Sequence, residues 1–496
     1  MQDSYIMNKK VIVIGSGFAG IASAAMLSKK GYDVTVLEKN SSLGGRARQM
    51  VKEGYYFDMG PSWYWMPEIF DDFFMQFGKK ATDFYELERL DPSYRVYFSQ
   101  EDILDIPASL DGVFQLFEKI ETGSSKGLKK FLEEAKYKYE VGMGEFVNKP
   151  SLSIFEFVDM RILKSLFKMQ LLTSITNHIK QFTSNKKLLS LLEFPVLFLG
   201  AKPQDTPALY SMMNYSDIVL GTWYPKGGMY SVVKAMVKVA EEQGVKFLVN
   251  ENVEKINVKN GKAVSVTSNG AIIDADIVVG AADYAHVEQQ LLDKEYRRYS
   301  EKYWDTRKLA PSCLLYYLGL DKKLENILHH TLFFDADFDK HASEIYDTPM
   351  WPTDPLLYTS CPSQNDPTLA PPGKDILFVL IPVAVDLVDT PEIREHYLNM
   401  AMDRIEKRLG QSVRQHIVVK ESYAYTDFLK DYNSLKGNAY GLANTLFQTA
   451  FLKPSMKSKK VKNLYYTGQL TVPGPGVPPC LISGQVVANL IEKENK

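Results

Sequence analysis

Three glycines and one acidic residue near the start of the sequence have the spacing of a phosphate-binding turn. Gly15, Gly17 and Gly20 form a G-x-G-x-x-G pattern, and Glu38 follows about 20 residues later. In such a pattern the first glycine makes a tight turn, the second lets the backbone approach a pyrophosphate, and the third lets a helix pack closely on a strand. The acidic side chain accepts hydrogen bonds from a ribose. These residues therefore predict a dinucleotide-binding site.

The residues around this motif predict the elements that position it. Residues 11–14 are a continuous apolar run typical of a buried parallel strand, residues 22–30 predict a helix, and residues 34–37 predict a second strand. In such a strand–helix–strand unit the phosphates meet the N-terminus of the helix. Residues 9–28 also carry two lysines before an uncharged stretch, as a signal peptide does, but the glycine spacing favours the nucleotide-binding turn.

A second glycine-rich turn follows Glu38 and bears on which dinucleotide is bound. In "SSLGGRARQ", Gly44, Gly45 and Arg46 place an arginine in a further phosphate-proximal turn. An FAD site has such a second turn in addition to the first, so the sequence favours FAD over NAD. An ordinary loop with a surface arginine is the alternative.

A third turn, "FDMGPSWYWMP", covers residues 57–67. Its Gly60, Pro61 and Ser62 are expected to bring backbone against a flavin. The three consecutive aromatic residues at 63–65 cannot all point into one core, so at least one is expected to line a pocket.

Residues 471–485, "TVPGPGVPPCLISGQ", form a loop too rich in proline and glycine to be a strand or a helix interior. The apolar spacing after it predicts a final helix, and Pro478 and Pro479 suit the first turn of that helix. Residues 464–467 predict a short strand that ends at Gly468. A stiff loop directly before a helix is suited to hold the helix end in one direction.

Three of these segments together carry a family resemblance. Residues 11–49, "FDMGPS" and "YTGQLTVPGPGVPP" resemble the carotenoid desaturases of the bacterial phytoene desaturase type, in the carotenoid desaturase/isomerase family of the amine-oxidase-like FAD flavoprotein superfamily. The first segment is shared across the superfamily, whereas the last is specific to the carotenoid group. One departure is Val472, which stands where many relatives have the histidine of a T-H-P-G sequence, so a histidine cannot act as a base there.

The resemblance implies FAD as the cofactor and a C-terminal segment that returns to the FAD domain with its last helix pointing at the flavin. The positive end of a helix stabilises the negative charge that a reduced flavin carries near N1 and the C2 carbonyl. A rigid surface turn is the alternative. The motifs and the resemblance together predict these cofactor-binding residues: Gly15, Gly17, Phe18, Ala19, Gly20, Glu38, Lys39, Gly45, Arg46, Gly60, Pro61, Ser62, Val253, Gly468, Gly476, Val477 and Pro478. The backbone of Val253 is expected to meet the adenine.

The expected fold class is α/β, with a discontinuous Rossmann-like FAD-binding domain, a mixed-sheet substrate domain and a helical region that is either membrane-associating or a lid. The FAD-binding domain is expected in three parts, at residues 1–90, 211–290 and 421–496. The substrate domain is expected at residues 91–145 and 291–420, and the helical lid or membrane-binding region at residues 146–210.

The middle of the chain contains several weaker signals. Residues 243–283 alternate short strands with turns at Asn-Gly pairs. Gly227 and Gly228 either approach the flavin or simply begin a helix. Residues 305–420 predict a sheet beneath a substrate cavity, with a helix at 391–409.

Residues 161–192 contain lysines and an arginine but no acidic residue, and their apolar residues recur at helical intervals, as in Leu171, Ile175, Ile179 and Phe182. A basic amphipathic helix is typical of a membrane surface. A helical lid whose apolar side packs inward is the alternative. No stretch approaches the length of about 20 apolar residues needed to span a bilayer, so the chain is not expected to cross one.

Composition excludes several classes of protein. Hydrophobic residues make up 45%, charged residues 24%, and the net charge is −2, which together exclude a disordered chain and argue against a nucleic-acid partner. Aromatic residues reach 12%, which suits a long apolar ligand. Cys313, Cys361 and Cys480 are far apart, so reduced thiols in a cytoplasmic setting and no metal site are expected.

The resulting prediction is an FAD-dependent enzyme that desaturates phytoene toward lycopene by hydride transfer to flavin N5, with oxygen or a quinone as electron acceptor. The expected location is the cytoplasm, peripheral on the cytoplasmic membrane. The alternatives are a hydroxycarotenoid 3,4-desaturase, a carotenoid isomerase, a more distant flavin amine oxidase and, from another class, a flavin-less prenyl-protein-binding protein similar to GDP-dissociation inhibitors. The sequence identifies no general base.

Overall fold

The computed structural model describes residues 9–153, 156, 169–197, 200–449 and 452–495. Within these residues the helices are α1 Phe18–Lys29, α2 Pro67–Met75, α3 Leu110–Ile120, α4 Ser124–Val141, α5 Ile175–Ile179, α6 Lys186–Leu197, α7 Met212–Asn214, α8 Met229–Glu242, α9 Tyr284–Gln290, α10 Glu301–Asp305, α11 Phe338–Tyr346, α12 Pro391–Leu409, α13 Tyr425–Tyr432 and α14 Val477–Asn495. The strands are β1 Lys10–Ile14, β2 Asp33–Glu38, β3 Gln49–Lys52, β4 Tyr55–Asp58, β5 Leu87–Arg89, β6 Tyr94–Tyr97, β7 Ile103–Ile106, β8 Trp223–Pro225, β9 Lys246–Val249, β10 Val253–Lys259, β11 Lys262–Ser268, β12 Ala271–Asp274, β13 Ile277–Gly280, β14 Ser312–Leu320, β15 His330–Phe333, β16 Leu357–Ser360, β17 Asp375–Val383, β18 Ile417–Tyr423 and β19 Leu464–Tyr466.

A five-stranded parallel sheet in the order β19-β13-β1-β2-β9 forms the first layer. Its central strand β1 is apolar and buried because both of its faces are covered, as the sequence predicts. Val13 lies between Val36 of β2 and Val279 of β13. The mixed α/β fold class is therefore confirmed, with a parallel sheet assembled from segments that are far apart in sequence.

Helix α1 packs directly on this sheet and begins earlier than predicted. It starts at Phe18 because Gly17 has an extended backbone (φ −70°, ψ 175°) and serves as the residue before the first turn. Residues 18–27 are all buried. On its other side α1 meets α14, where a Cβ on Gly484 would lie 2.4 Å from the carbonyl oxygen of Ala19. The two helices can approach this closely only because Gly484 has no side chain.

A seven-stranded sheet in the order β18-β14-β17-β16-β15-β6-β7 forms the second layer. Its pairs are antiparallel except β15 with β6. Along β14, Leu314, Tyr316 and Leu318 pack with helix α12, whereas Cys313, Leu315 and Tyr317 belong to the main core on the other side. The predicted strand-rich region and its helix at 391–409 are confirmed.

The predicted basic amphipathic helix is wrong in the part that the structure describes. Its residues 161–168 lie outside the described residues. The remainder forms two helices, α5 and α6, separated at Asn185, whose side-chain oxygen accepts a hydrogen bond from the backbone of Lys187 at 3.0 Å and thereby caps α6. Ile175 and Ile179 are fully buried, so they pack inward as the lid alternative expects.

The structure agrees with the sequence prediction for the small sheet in the middle of the chain and for the cysteines. Strands β10, β11 and β12 form an antiparallel sheet whose turns at Asn260-Gly261 and Asn269-Gly270 have positive φ angles. The three cysteines are free thiols. Among the helices in the described ranges, none combines the length and the apolar composition that crossing a bilayer requires.

The contact between α1 and α14 gives a stability prediction. In Gly484→Ala the added methyl group meets the Ala19 carbonyl oxygen at 2.4 Å and the Ser23 nitrogen at 2.9 Å, which are backbone atoms that cannot turn aside. Overpacking of this kind costs about 1–3 kcal/mol, which exceeds the gain of about 1 kcal/mol in helix propensity. Urea denaturation should show a lower free energy of unfolding.

Gly144→Ala is the matched control for this change. Gly144 lies in the helical turn Gly142–Phe146, is exposed, and has no atom within 4 Å of a built Cβ. With no clash to oppose the gain in helix propensity, its variant should be as stable as the unsubstituted chain or up to about 1 kcal/mol more stable. Equal stability of Gly484→Ala and the unsubstituted chain would contradict the close-packing argument.

Candidate active site

A cavity of about 500 Å³ lies between the two sheets. Its wall includes the ends of β1 and β2, the loop before α14, the inner face of the seven-stranded sheet and residues near α4 and α7. Ligands in open parallel sheets bind outside the carboxyl ends of the strands, and this cavity begins there. The volume is in the range of a site for a cofactor or a small ligand.

The glycine motif occupies one end of the cavity. Gly15, Gly17, Phe18 and Ala19 line the wall, whereas Gly20 does not. A Cβ on Gly20 would lie 2.1 Å from the carbonyl oxygen of Gly15, so Gly20 permits close packing of the turn and does not face the cavity. The structure agrees with the packing role that the motif predicts for Gly20, although Gly20 was also predicted as a cofactor contact and does not line the cavity.

Gly17 is the position at which bare backbone faces the cavity. A Cβ on Gly17 has no atom within 4 Å, whereas a Cβ on Gly45 would lie 3.1 Å from the Cα of Gly17. The first and second glycine turns therefore touch, and together they leave an uncovered backbone surface at the N-terminus of α1. This surface is a cradle of the kind that a diphosphate occupies.

Glu38 closes β2 and lies on the cavity wall, 5% exposed. One carboxylate oxygen accepts hydrogen bonds from the backbone and the hydroxyl of Ser16 at 3.0 and 2.7 Å, and the other accepts one from the backbone of Asn40 at 2.9 Å. These bonds hold the carboxylate in one orientation at the end of the strand, where it can also accept a hydrogen bond from a ribose hydroxyl.

Arg46 lies on the wall beside the second turn. One guanidinium nitrogen donates to Ser434 Oγ at 3.1 Å and to the carbonyl oxygen of Asn438 at 3.2 Å, and the group lies 4.8 Å from the ring centre of Tyr432. Its Nε is buried and has no hydrogen-bond partner within the described residues. A buried donor on a cation, left without an acceptor, fits an anionic group of FAD.

The C-terminal loop forms the neighbouring wall. Helix α14 begins at Val477, which lines the cavity, so the end of the helix that carries unpaired N–H groups faces the cavity. Ser483 of α14 holds the start of the loop in place. Its Oγ accepts a hydrogen bond from Gly468 N at 3.0 Å and contacts the hydroxyls of Thr467 and Thr471. The predicted order of strand, loop and final helix is confirmed.

Aromatic residues line the far part of the cavity. Trp63 and Trp65 are on the wall, as the sequence predicts for at least one of residues 63–65. The ring of Trp63 stacks on His330 at 3.9 Å. His330 Nδ1 lies 2.7 Å from the hydroxyl of Tyr358, which lies 2.8 Å from Ser62 Oγ. Burial lowers the pKa of His330 well below its usual value, so the ring is neutral.

Much of the remaining wall is apolar. Met143 and Met213 come from the helical part, and Leu315, Leu332 and Leu380 come from the seven-stranded sheet. The sheet therefore lies beneath this part of the cavity, as predicted. An apolar chamber joined to a phosphate-binding cradle can hold a hydrocarbon against the ring end of a bound dinucleotide.

The structure brings the predicted residues together with one exception. All predicted cofactor residues except Gly20 line the cavity, including Lys39, Gly60, Pro61, Val253, Gly468, Gly476 and Pro478. Gly227 and Gly228 are not on its wall. They begin α8, whose first N–H groups donate to the carboxylate of Asp58 at 2.6 and 3.1 Å.

Several wall residues were not predicted. Asp283 lies just past β13, and the rule that ligands bind at the carboxyl ends of parallel strands would have found it. Tyr432 and Tyr358 have no such local signal because they reach the wall only through pairing and packing of distant segments. Within the described residues, no cluster of three or more His, Cys, Asp or Glu side chains is suited to hold a metal ion.

Comparison with known proteins agrees with this geometry. The family model for flavin containing amine oxidoreductase matches residues 18–491. The chain is 40% identical over 489 residues to a carotenoid 3,4-desaturase of Haloarcula japonica, covering 98% of this chain and 99% of that one. It is 29% identical over 486 residues to a zeta-carotene-forming phytoene desaturase of Myxococcus xanthus, covering 97% and 93%.

A solved structure shows the same fold. An oxidoreductase from Methanosarcina mazei matches with a TM-score of 0.64 and 19% identity, over 97% of this chain and 100% of that chain. Together with the phosphate-binding cradle and Arg46, these similarities show that the chain belongs to the flavin-containing amine oxidoreductase family, on the branch that includes the carotenoid desaturases, and is an FAD-dependent oxidoreductase.

Proposed function

We propose that this enzyme desaturates an acyclic carotenoid. The observation that carries the proposal is the continuity of the apolar chamber with the phosphate-binding cradle in one cavity. The cradle at Gly17, together with Glu38 and Arg46, would hold FAD, which would supply the acceptor for a hydride from an allylic CH₂ group, while an adjacent carbon would lose a proton to solvent. The chain binds the hydrocarbon, orients it and excludes water. Burial of a polyene provides about 25 cal/mol per Å² of apolar surface.

Two desaturation steps are candidates. Similarity favours 3,4-desaturation, because the relative that is 40% identical has that name, whereas the phytoene desaturase is 29% identical. Desaturation of phytoene toward lycopene, the step predicted from sequence, is the second candidate. An isomerase would rearrange double bonds without oxidation, and a flavin-less binding protein does not fit a family of flavin oxidoreductases.

Expression in two carotenoid-accumulating bacteria separates these candidates. In a strain that accumulates lycopene, we expect a product with a longer-wavelength absorbance and a mass lower by two hydrogens, whereas phytoene in a second strain stays unchanged. Extracts are read by absorbance and mass spectrometry. A lycopene-like spectrum from the phytoene strain would instead support the second candidate, and unchanged mass with altered isomers would support an isomerase.

The predicted cofactor residues imply different consequences for two glycines of one motif. In Gly17→Val the side chain enters the uncovered cradle, so we expect a stable protein that is purified without flavin. In Gly20→Ala the Cβ meets the Gly15 carbonyl at 2.1 Å, so we expect loss of stability first. Visible absorbance of bound flavin measures the first effect, and thermal unfolding measures the second.

The two variants serve as controls for each other. Binding of FAD by Gly17→Val at the level of the unsubstituted protein would refute the assignment of the cradle to the diphosphate. Unfolding of both variants at the same lowered temperature would show that the motif is only structural.

We also propose that the enzyme lies on the surface of the cytoplasmic membrane. We propose oxygen or a quinone as the electron acceptor that reoxidises FAD. Leu172 is 89% exposed and Phe447 is 77% exposed. The segments that carry these two residues both contact residues 208–210. The carbonyl oxygen of Thr173 accepts a hydrogen bond from the backbone of Ala208, and the hydroxyl of Tyr210 is hydrogen-bonded to that of Thr449. Exposed apolar side chains on linked segments support insertion into an interface.

Vesicle sedimentation tests this placement. The double variant Leu172→Asp/Phe447→Asp should bind vesicles of phosphatidylglycerol and phosphatidylethanolamine at least several-fold more weakly, because charges replace the inserted groups. Ile272→Asp is the control, since Ile272 is 72% exposed on β12, in the small sheet β10-β11-β12. An equal loss in both proteins, or none in the double variant, would remove the support for membrane contact.

A further inference from the structure

A buried lysine without a carboxylate partner lies behind the C-terminal loop. Lys453 is 4% exposed, and its ammonium donates a hydrogen bond to Asn444 Oδ1 at 2.8 Å. In the described part of the chain no acidic side chain forms an ion pair with it. Burial lowers the pKa of Lys453 to about 7. A buried cation is costly unless an anion or a polar group compensates it, and among the described residues the compensation comes from one amide oxygen.

The partner of this lysine is an asparagine on the cavity wall. Asn444 is 2% exposed and lines the cavity. A protonated lysine can only donate, so with Lys453 charged the amide oxygen faces its ammonium and the NH₂ group faces elsewhere. The amide nitrogen of Asn444 has no hydrogen-bond partner among the residues that the structure describes. The lysine therefore fixes the amide in the orientation that leaves two donors free.

The loop before α14 lies directly against this pair. A Cβ on Gly474 would lie 3.2 Å from Lys453 Nζ and 3.2 Å from Asn444 Oδ1. Pro473 and Pro475, on either side of Gly474, line the cavity. The pair and the positive end of α14 thus lie against the same short loop. Two separate features concentrate positive potential on one part of the wall.

We propose that Asn444, oriented by Lys453, stabilises the negative charge of the reduced flavin. The inference rests on the proposed function and on the flavin lying against the loop before α14, as the family resemblance implies. A hydride brings two electrons and one proton, so its acceptance places net negative charge on the ring system. A fixed amide donor with a cation behind it interacts more strongly with that charge than with the neutral oxidised ring. Asn444 is then the contacting residue, and Lys453 is a positioning residue.

Two substitutions act on the pair from opposite sides. Lys453→Met removes the cation and frees the amide to turn. Asn444→Asp keeps a partner for Lys453 as a buried ion pair, so the fold is retained, but it replaces two donors with an anionic acceptor. Both should weaken the binding of reduced relative to oxidised FAD, by about tenfold for Lys453→Met and more for Asn444→Asp. Tenfold corresponds to a two-electron reduction potential lower by about 30 mV.

The reduction potential of bound FAD is measured in each purified holoenzyme by equilibration with a reference dye. No carotenoid is present. Lys453→Arg should keep the potential of the unsubstituted enzyme. Lys138→Met is the matched control, because Lys138 is also buried and bonds Gln170 and Ser211 in the helical part. The reduction potential of FAD in Lys138→Met should equal that of the unsubstituted enzyme, even if the variant is less stable.

Some results would overturn the inference. A potential within error of the unsubstituted enzyme in Asn444→Asp would exclude contact of this amide with the flavin. An unchanged potential with a raised KM for the carotenoid would assign the amide to the substrate instead. Equal shifts of the reduction potential in Lys453→Met and Lys138→Met would show that the shift reflects a general loss of stability and not contact with the flavin. A preparation without bound FAD in the unsubstituted enzyme would refute the FAD assignment itself, which is a separate failure.

Discussion

The close approach of two helix backbones, α1 and α14, is the constraint on which the cavity depends. Gly484 lets α14 lie against the carbonyl of Ala19, in the first turn of α1. Both helices present their N-termini to the same cavity, at Phe18 and at Val477. The spacing of the helices therefore fixes the distance between the phosphate-binding turn and the C-terminal loop. A looser contact would separate the two positive ends that face the cofactor.

Four buried or half-buried polar residues illustrate two patterns of hydrogen bonding. Asp58 accepts two backbone hydrogen bonds at the start of α8, and Asp217 accepts from Tyr94 and Thr222. Burial raises the pKa of each aspartate to about 7, yet their partners are within the chain, which is typical of structural groups. Arg46 and Asn444 instead each keep a donor without a partner among the described residues. Both residues line the cavity, where a bound ligand can supply the missing acceptor.

The sequence predicted best what depends on neighbouring residues. The turn after β1, the acidic end of β2 and the proline-rich entry to α14 are local patterns, and all three are found in the structure. The pairing of His330 with Tyr358 depends on β15 lying beside β16, which no local pattern encodes. The basic amphipathic helix failed for a local reason that was overlooked, since Asn185 is a strong helix-capping residue and begins a new helix. Asn444 and Lys453 were missed because a lone asparagine or lysine has no distinguishing spacing.

The position of β19 has a consequence for the order in which the protein is made. This strand forms the edge of the five-stranded sheet and pairs with β13, although it is separated from β13 by almost two-fifths of the chain. Until residues 464–466 leave the ribosome, β13 is an open strand edge able to pair with other chains. The cavity wall also lacks its C-terminal loop until that point. The cavity wall is therefore complete only after two segments far apart in the chain, one around β1 and one after β19, have both been synthesised.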